Sequence, residues 1–476
     1  MREIGELRDL KVPYEDLFPE DSYIVGGTLR DFLLGRDFDD WDVVVPRDAI
    51  RLGFRLRRQI EGSFAVVLSE EDDEFRLVLP DGGWIDISSP RAPTIDEDLK
   101  LRDFTINSLA TPLHTKDRLI DPTGGLKDIE NRLIRTYFRK NLESDPLRIL
   151  RAFRFVSTLG FEIELQTLSW ITELAPELSK AAPERIRYEL TRLFNGEHIF
   201  RAIKGMAETG VLFVIFPELE AQRSLYQKYI TRQNVFEHTL LVIKFLEELL
   251  KQVEAGEGPM GKFADRILPF LGDPSRRMAF FVGALLHDVA KPDTVFYDEE
   301  GRTHFHGHDR LGARVAAGIA DRLRFSSDEK EIVTMIVEAH MHPHLLAREQ
   351  ENVTPRALNR YLRRTGELSF PLILFAVADA MATPPIGSGA EWQVYLADRL
   401  DELIRQKESK KKERLVTGHD IIAMGLKPGP VFKKLLDEID DLEAEGVVRT
   451  REDALKALAE LVEKVKRGEW PPEPEK

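Results

Sequence analysis

The chain has 476 residues, 42% of them hydrophobic, no cysteine and a formal net charge of −15. That length calls for several domains, and the apolar content is enough to fill their cores. The lack of cysteine excludes disulfides, thiolate-held zinc and cysteine nucleophiles, no apolar run reaches a membrane span (the nearest is Met278–Leu286), and no charged-then-apolar leader opens the chain, so a cytoplasmic location away from membranes is expected.

Taken in order, residues 1–135 alternate short β-like runs with helical segments. The runs are Tyr23–Val25, Trp41–Val45, Ala65–Leu68, Phe75–Leu79 and Trp84–Ile87, and they predict an α/β head with a small mixed sheet. From about 136 onward the pattern is helical, with 3.6-period stripes in Leu147–Leu159, Gln166–Leu174 and Pro183–Phe194. A mostly α-helical body therefore follows the head, divided here into 136–222, 223–400 and a tail at 401–476. Val253–Lys262, with Gly256, Gly258, Pro259 and Gly261, reads as a loop or insertion. Arg405–Arg414, carrying Lys410–Lys412, reads as a helix end or linker, and the residues after Gly468 as a disordered end.

The most informative segment is Tyr23–Val45. Asp40 and Asp42 lie two apart on a strand, so both carboxylates point to one face. Hard divalent cations want oxygen ligands, and Mg²⁺ is commonly held by one or two carboxylates together with substrate phosphates. Gly26 and Gly27, ahead of the short helical run Leu29–Leu34, let backbone N–H groups approach a phosphate. The combination points to a metal–triphosphate site. Asp86, in Trp84–Ser88, is either a third carboxylate of that site or a strand-edge charge. The overall acidity conceals a basic stripe: Arg132, Arg135, Arg139, Lys140, Arg148, Arg151 and Arg154, then Arg185, Arg187 and Arg192. Such a stripe either neutralises RNA phosphates or is a solvated face.

The ordered pattern G-G-x-x-R-D-x-L-L-G-x-x-x-x-D-x-D over 26–42 resembles the nucleotidyltransferase motif of class II CCA-adding enzymes and bacterial poly(A) polymerases. Leu101-Arg-Asp-Phe-Thr-Ile-Asn-Ser-Leu-Ala110 is similar to the family's R-R-D-F-T-x-N-A-M-A, with Leu101 replacing the first Arg. Asp121–Asp128 resembles D-P-x-G-G-x-x-D, and Ser144-Asp-Pro-Leu-Arg148 stands where the family carries E-D-x-x-R, with Ser144 in place of Glu. Glu184–Leu190 resembles a later family motif on the helical neck. The resemblance implies template-independent addition to the 3′ end of tRNA from CTP and ATP, with Asp40 and Asp42 holding two Mg²⁺ and Asp86 assisting. Implied nucleotide contacts are Gly26, Gly27, Arg30, Arg102, Asn107, Asp145, Arg148, Arg151 and Arg154. Asp145 and Arg148 would read the incoming base, since a carboxylate accepts from the exocyclic amines of C and A while Arg donates to ring acceptors. Asp145-Pro146 also suits a helix start.

Only about ten residues separate Asp86 from Asp96. CCA-adding relatives carry a longer flexible loop here, and its absence marks CC-adding members, so the resemblance implies addition of CC, with CCA as the alternative. A poly(A) polymerase shares the same motifs and is the nearest rival.

Farther on, Val235-Phe-Glu-His-Thr239, Leu285-Leu-His-Asp-Val-Ala-Lys291, Thr303–His308, Glu338-Ala-His340 and Ala376–Ala380 follow one another. This order resembles the HD phosphohydrolases, which implies a metal held by His238, His287, Asp288 and Asp379, with His308 and His340 at a second metal or the substrate phosphate. Mixed His and Asp ligands suit Mn²⁺, Ni²⁺ or Mg²⁺ rather than structural zinc. Lys291 either contacts substrate phosphate or caps a helix dipole, and His419 is expected as a cap or packing residue. The remaining alternative is an HD phosphohydrolase whose head mainly binds RNA.

Overall fold

The computed structural model describes residues 2–226, 233–409 and 415–470, so Lys410–Lys412 and the last six residues lie outside the described residues. The chain forms two compact units, 1–220 and 221–476.

The first unit opens with a six-stranded sheet. Its strands are β1 (Tyr23–Val25), β2 (Asp40–Val44), β3 (Phe64–Ser69), β4 (Glu74–Val78), β5 (Trp84–Ser88) and β6 (Ala110–Pro112), in spatial order β3-β4-β5-β2-β1-β6. All neighbours are antiparallel except β2 and β5, which run parallel with Asp42 opposite Asp86. Alternation separates the two faces: on β4, Phe75 and Leu77 are fully buried while Arg76 turns to the other side. Helix Ala49–Gln59 covers the buried face. Its Gly53 permits the contact, because a Cβ there would lie 2.2 Å from Phe75 Cδ1.

Helices Leu147–Leu159, Leu165–Leu174 and Pro183–Phe194 follow, matching the three periodic stripes to within one residue at one end. Leu150 and Phe153 of the first and Leu190 and Leu193 of the third, which pack on each other, are buried. Asp121 ties down the preceding turn by accepting from Gly125 N (2.7 Å) and Leu126 N (3.0 Å), which starts helix Gly125–Glu130.

The second unit is helical. Val235–Glu254, Pro274–Leu286, His308–Arg322, Ser327–Ala339 and Ser369–Ala382 surround a core that includes Phe281, Leu285, Val333, Ile336, Leu372 and Phe375. The segment expected as a loop at Val253–Lys262 differs: the first helix runs on to Glu254 and a short helix occupies Gly258–Gly261. Burial of Val253 and Met260 overrides the glycine content. Within Pro355–Ala382 an 18-residue window reaches a mean hydropathy of 1.4, and 72% of that window is buried within the protein as core. Helices Pro430–Ala444 and Arg451–Lys466 pack around Leu435, Ile439, Leu458 and Val462, and Arg356–Glu438 and Arg363–Asp441 ion pairs link them to helix Pro355–Thr365. His419 is neither cap nor packing residue: it is exposed, and Thr417 with Asp420 forms the capping box of helix Gly418–Ala423.

Candidate active site and metal centre

In the first unit a cleft of about 450 Å³ collects nearly every head residue singled out in the sequence: Gly26, Gly27, Arg30, Asp40, Asp42, Asp86, Arg102, Asn107, Asp145, Arg148, Arg151 and Arg154. Three elements build its acidic end. Gly26 adopts φ +67°, and a Cβ on it would lie 3.0 Å from Asp42 Oδ2 and 3.2 Å from Arg102 Nη1. Glycine is needed there on both counts. Gly27 N then donates to Asp42 Oδ2 at 2.9 Å. The Thr28 hydroxyl locks the turn to β2, accepting from Asp42 N (2.7 Å) and donating to Asp40 O (3.3 Å).

Asp86 comes alongside Asp42 through the parallel β2–β5 pairing. It is not a loose edge charge, because Arg76 grips both its oxygens, at 2.7 and 2.8 Å, while lying 4.8 Å over the Trp84 ring. Burial, then the Asp86 carboxylate, pushes the Asp42 carboxyl up to about 6; Arg102 opposes this, Asp40 adds to it, and the Gly27 N–H opposes it. A carboxylate crowded by two others in this way is relieved by a divalent cation, so the donor set fits one.

The basic end is organised around Asp103, a member of the Leu101–Ala110 motif whose arginine partner is distant in the chain. Arg151 Nε and Nη2 donate to Asp103 Oδ2 at 3.0 and 2.7 Å, and Asn107 Nδ2 donates to Oδ1 at 2.9 Å. Asn107 Oδ1 in turn accepts from Arg30 Nη1 at 2.5 Å. Burial works against the Asp103 charge, yet Arg151 and Arg148 hold its carboxyl well below the usual carboxylate range. Arg30 is also bidentate to Asp31, and Arg154 pairs with buried Glu189 at 3.0 Å. Arg148 N donates to Asp145 O at 3.0 Å, but the two side chains take other partners. Asp145 pairs with Arg185 (2.8 and 3.3 Å), while Arg148 Nη1 donates to the carbonyls of Leu101 and Asn141, both at 3.0 Å. Ser144, at the motif's departure, is exposed and donates only to Asn141 O. Arg76 and Glu189 had no local signal in the sequence beyond alternation and helical spacing, because their partners are distant in the chain.

The second unit gathers His238, His287 and Asp288 in one group and Asp288, His308 and His340 in another, the ligand atoms of each lying within 4.8 Å. Their orientation is set locally. The Nδ1 atoms of His287, His308 and His340 each lie 2.7–2.8 Å from the carbonyl three residues earlier, so every Nε2 faces inward. His308 Nε2 and His340 Nε2 stand 3.1 Å apart. Burial, then His287, pushes His340 down to about 3, so it is neutral and presents a lone pair. Opposed ring nitrogens at that separation, with His287 Nε2 3.1 Å from Asp288 Oδ2 beside them, fit a bound cation. Asp379 lies outside both groups and bridges two histidines, His238 Nε2 and His344 Nε2, each at 2.8 Å. His344 escaped the sequence reading, although it sits four residues beyond His340. Lys291 Nζ lies 2.7 Å from Asp288 Oδ2 and 5.1 Å over the Phe305 ring.

Comparison with known proteins covers both units. Residues 22–135 match the poly A polymerase head domain, 160–223 the probable RNA and SrmB-binding site of polymerase A, and 235–383 the HD domain. An A-adding tRNA nucleotidyltransferase of Deinococcus radiodurans is 31% identical over 92% of this chain and 94% of its own length. A CC-adding tRNA nucleotidyltransferase of Thermus thermophilus is 30% identical over 92% of each. The fold is shared with the Thermotoga maritima CCA-adding enzyme complexed with tRNA, at a TM-score of 0.64 and 23% identity over 96% of this chain and 98% of that one. By these matches over both units, the chain belongs to the class II tRNA nucleotidyltransferase family and carries an HD domain.

Proposed function

We propose that this enzyme adds C residues, as CC, to the 3′ end of tRNA from CTP, and that its HD domain hydrolyses phosphoesters. The observation that carries the first part is the convergence of Asp40, Asp42 and Asp86 with Arg102, Arg148, Arg151 and Arg185 in one cleft. Mg²⁺ bound at Asp40 and Asp42 would supply charge stabilisation for the in-line displacement of pyrophosphate by the RNA 3′-hydroxyl. The chain's own residues do the positioning. Gly26 and Gly27 clear space for the triphosphate, Arg102 stands over that turn, and Arg76 holds the Asp86 carboxylate beside Asp42. Asp145 and Arg148 face the base of the incoming nucleotide, and their side chains must leave Arg185 and the backbone carbonyls to read it.

Restriction to CC rests on the short segment between β5 and helix Ile95–Lys100. It is pinned at Arg91, whose N–H donates to Asp98 at 2.8 Å and whose guanidinium pairs with Glu74 at 2.7 Å. A segment held in this way has no slack to follow a switch from C to A. The test offers tRNA ending at the discriminator base with CTP, ATP or both, and sequences the products. Two added C residues and no A support the reading. Efficient terminal A addition refutes CC specificity, as the A-adding name of the Deinococcus relative makes worth checking, and a long A tail would make the enzyme a poly(A) polymerase.

The HD reading rests on the two convergent ligand groups around Asp288, with Mn²⁺, Ni²⁺ or Mg²⁺ as the candidate metal. His238, His287 and Asp288 would hold it and Asp379 would orient His238. Its chemistry there would be activation of water against a phosphoester.

A further inference from the structure

Helix Ala49–Gln59 lies on the face of the sheet turned away from the catalytic cleft, since it packs on Phe75 whereas neighbouring Arg76 points into the cleft. Arg51, Arg55 and Arg58 recur at i, i+4 and i+7, which places them on one side of the helix, with Phe54 on the same side. All four are exposed, Phe54 at 43%. They line a concave groove of about 700 Å³ together with Asp48 and Asp73. Among the described residues none of these three guanidinium groups has a carboxylate partner, in contrast to Arg30, Arg76, Arg135, Arg151 and Arg185. Asp73 keeps its charge, but its oxygens are turned to Ala49 N (2.7 Å), Ile50 N (2.9 Å) and the Ser89 hydroxyl. The lining thus still carries three guanidinium charges against two carboxylates, on a chain of net charge −15.

We infer that this groove is a second RNA-binding surface that holds phosphodiester backbone away from the reacting 3′ end. Forked guanidinium donors suit phosphate oxygens, and an exposed aromatic ring set among them suits an unpaired base. The close packing of Gly53 on Phe75 fixes the helix, so the arginine row is presented without reorganisation. An acidic protein face is the competing occupant. The groove favours RNA over it because Phe54 offers a stacking surface beside the charges.

The test compares the full-length protein with the triple variant Arg51→Glu/Arg55→Glu/Arg58→Glu, measuring binding of a tRNA transcript across a KCl series. Each lost phosphate contact removes about 0.7–0.9 from the slope of log K against log[salt]. The expected result is affinity weakened at least tenfold, a slope shallower by about 2, and an unchanged kcat for nucleotide addition at saturating tRNA. Because addition is read separately, failure of the transferase reading would show as inactivity of the parent protein and is distinguishable. Unchanged affinity and slope would overturn the proposal, and so would a change of solution mass with unchanged RNA binding, which would assign the surface to a protein contact. If the charge-reversed protein does not fold, the Arg→Gln triple variant decides by the same slope.

Discussion

Asp42 and Asp86 face each other across the parallel β2–β5 pair, and Arg76 neutralises only the second of them. The unneutralised partner bears the consequence. Asp42 titrates near 6 instead of at the ordinary 3.8, with burial the largest cause and Asp86 the next.

This carries a stability signature. A carboxyl whose folded value is raised stabilises the fold fully below the unfolded value and loses that contribution as pH rises through the folded one. In metal-free protein, Asp42→Asn should therefore raise the melting temperature at pH 8 and leave it unchanged near pH 3.5, the gain being about 1–3 kcal/mol because Asp42 is only partly shielded by the cleft. Nucleotide addition should vanish in the same variant. Equal melting shifts at both pH values would contradict the assignment.

Arg76→Ala should leave Asp86 uncompensated beside Asp42. The rate of addition should fall, and the acidic limb of its pH profile should move to higher pH, since a like charge raises the Asp42 value further. Arg76→Lys should restore part of the rate, because an ammonium supplies charge without the two-point grip seen at 2.7 and 2.8 Å. An unshifted profile in Arg76→Ala would argue against coupling of the two aspartates.

The Asp103–Arg151 pair binds the segment after β5 to helix Leu147–Leu159. Asp103→Asn should cost about 2–3 kcal/mol in denaturant unfolding, less than a fully buried pair because a third of Arg151 is exposed. The folded carboxyl is held below its unfolded value, so this contribution is present at neutral pH and disappears only as pH falls through the strongly acid range. The check is the difference between wild-type and variant stability at pH 7 and at pH 3, which should shrink at the lower pH.

In the second unit, His287→Ala should abolish tight binding of Mn²⁺ or Ni²⁺ by calorimetry and remove hydrolysis of a model phosphodiester, with nucleotide addition retained. His344→Ala should weaken metal binding by about 10–100-fold without abolishing it, as expected of a residue that orients Asp379 and does not ligate. Equal loss in both variants would make His344 a ligand.

Much of the site was legible because its spacing is local. Strand alternation put Asp40 and Asp42 on one face, and the G-G pair marked the close approach to Asp42, where it forms the first turn of helix Gly26–Leu34. The 3.6-period stripes located the helices Leu147–Leu159 and Pro183–Phe194 at their observed limits. Glycine content misled at Val253–Lys262, where burial of Val253 and Met260 outweighed local propensity. His419 misled because Thr417 is the better cap.

The sequence by itself determined which chemistry-bearing residues the protein owns and which short-range pairs share a face, since those follow from backbone periodicity. Only the tertiary structure decided who neutralises whom. The strand order that sets β5 against β2 made Asp86 raise Asp42, and helix packing gave Asp103 to Arg151, Asp145 to Arg185 and Asp379 to His344. Charge interactions depend on distance and burial, and neither is written in the spacing of residues along the chain.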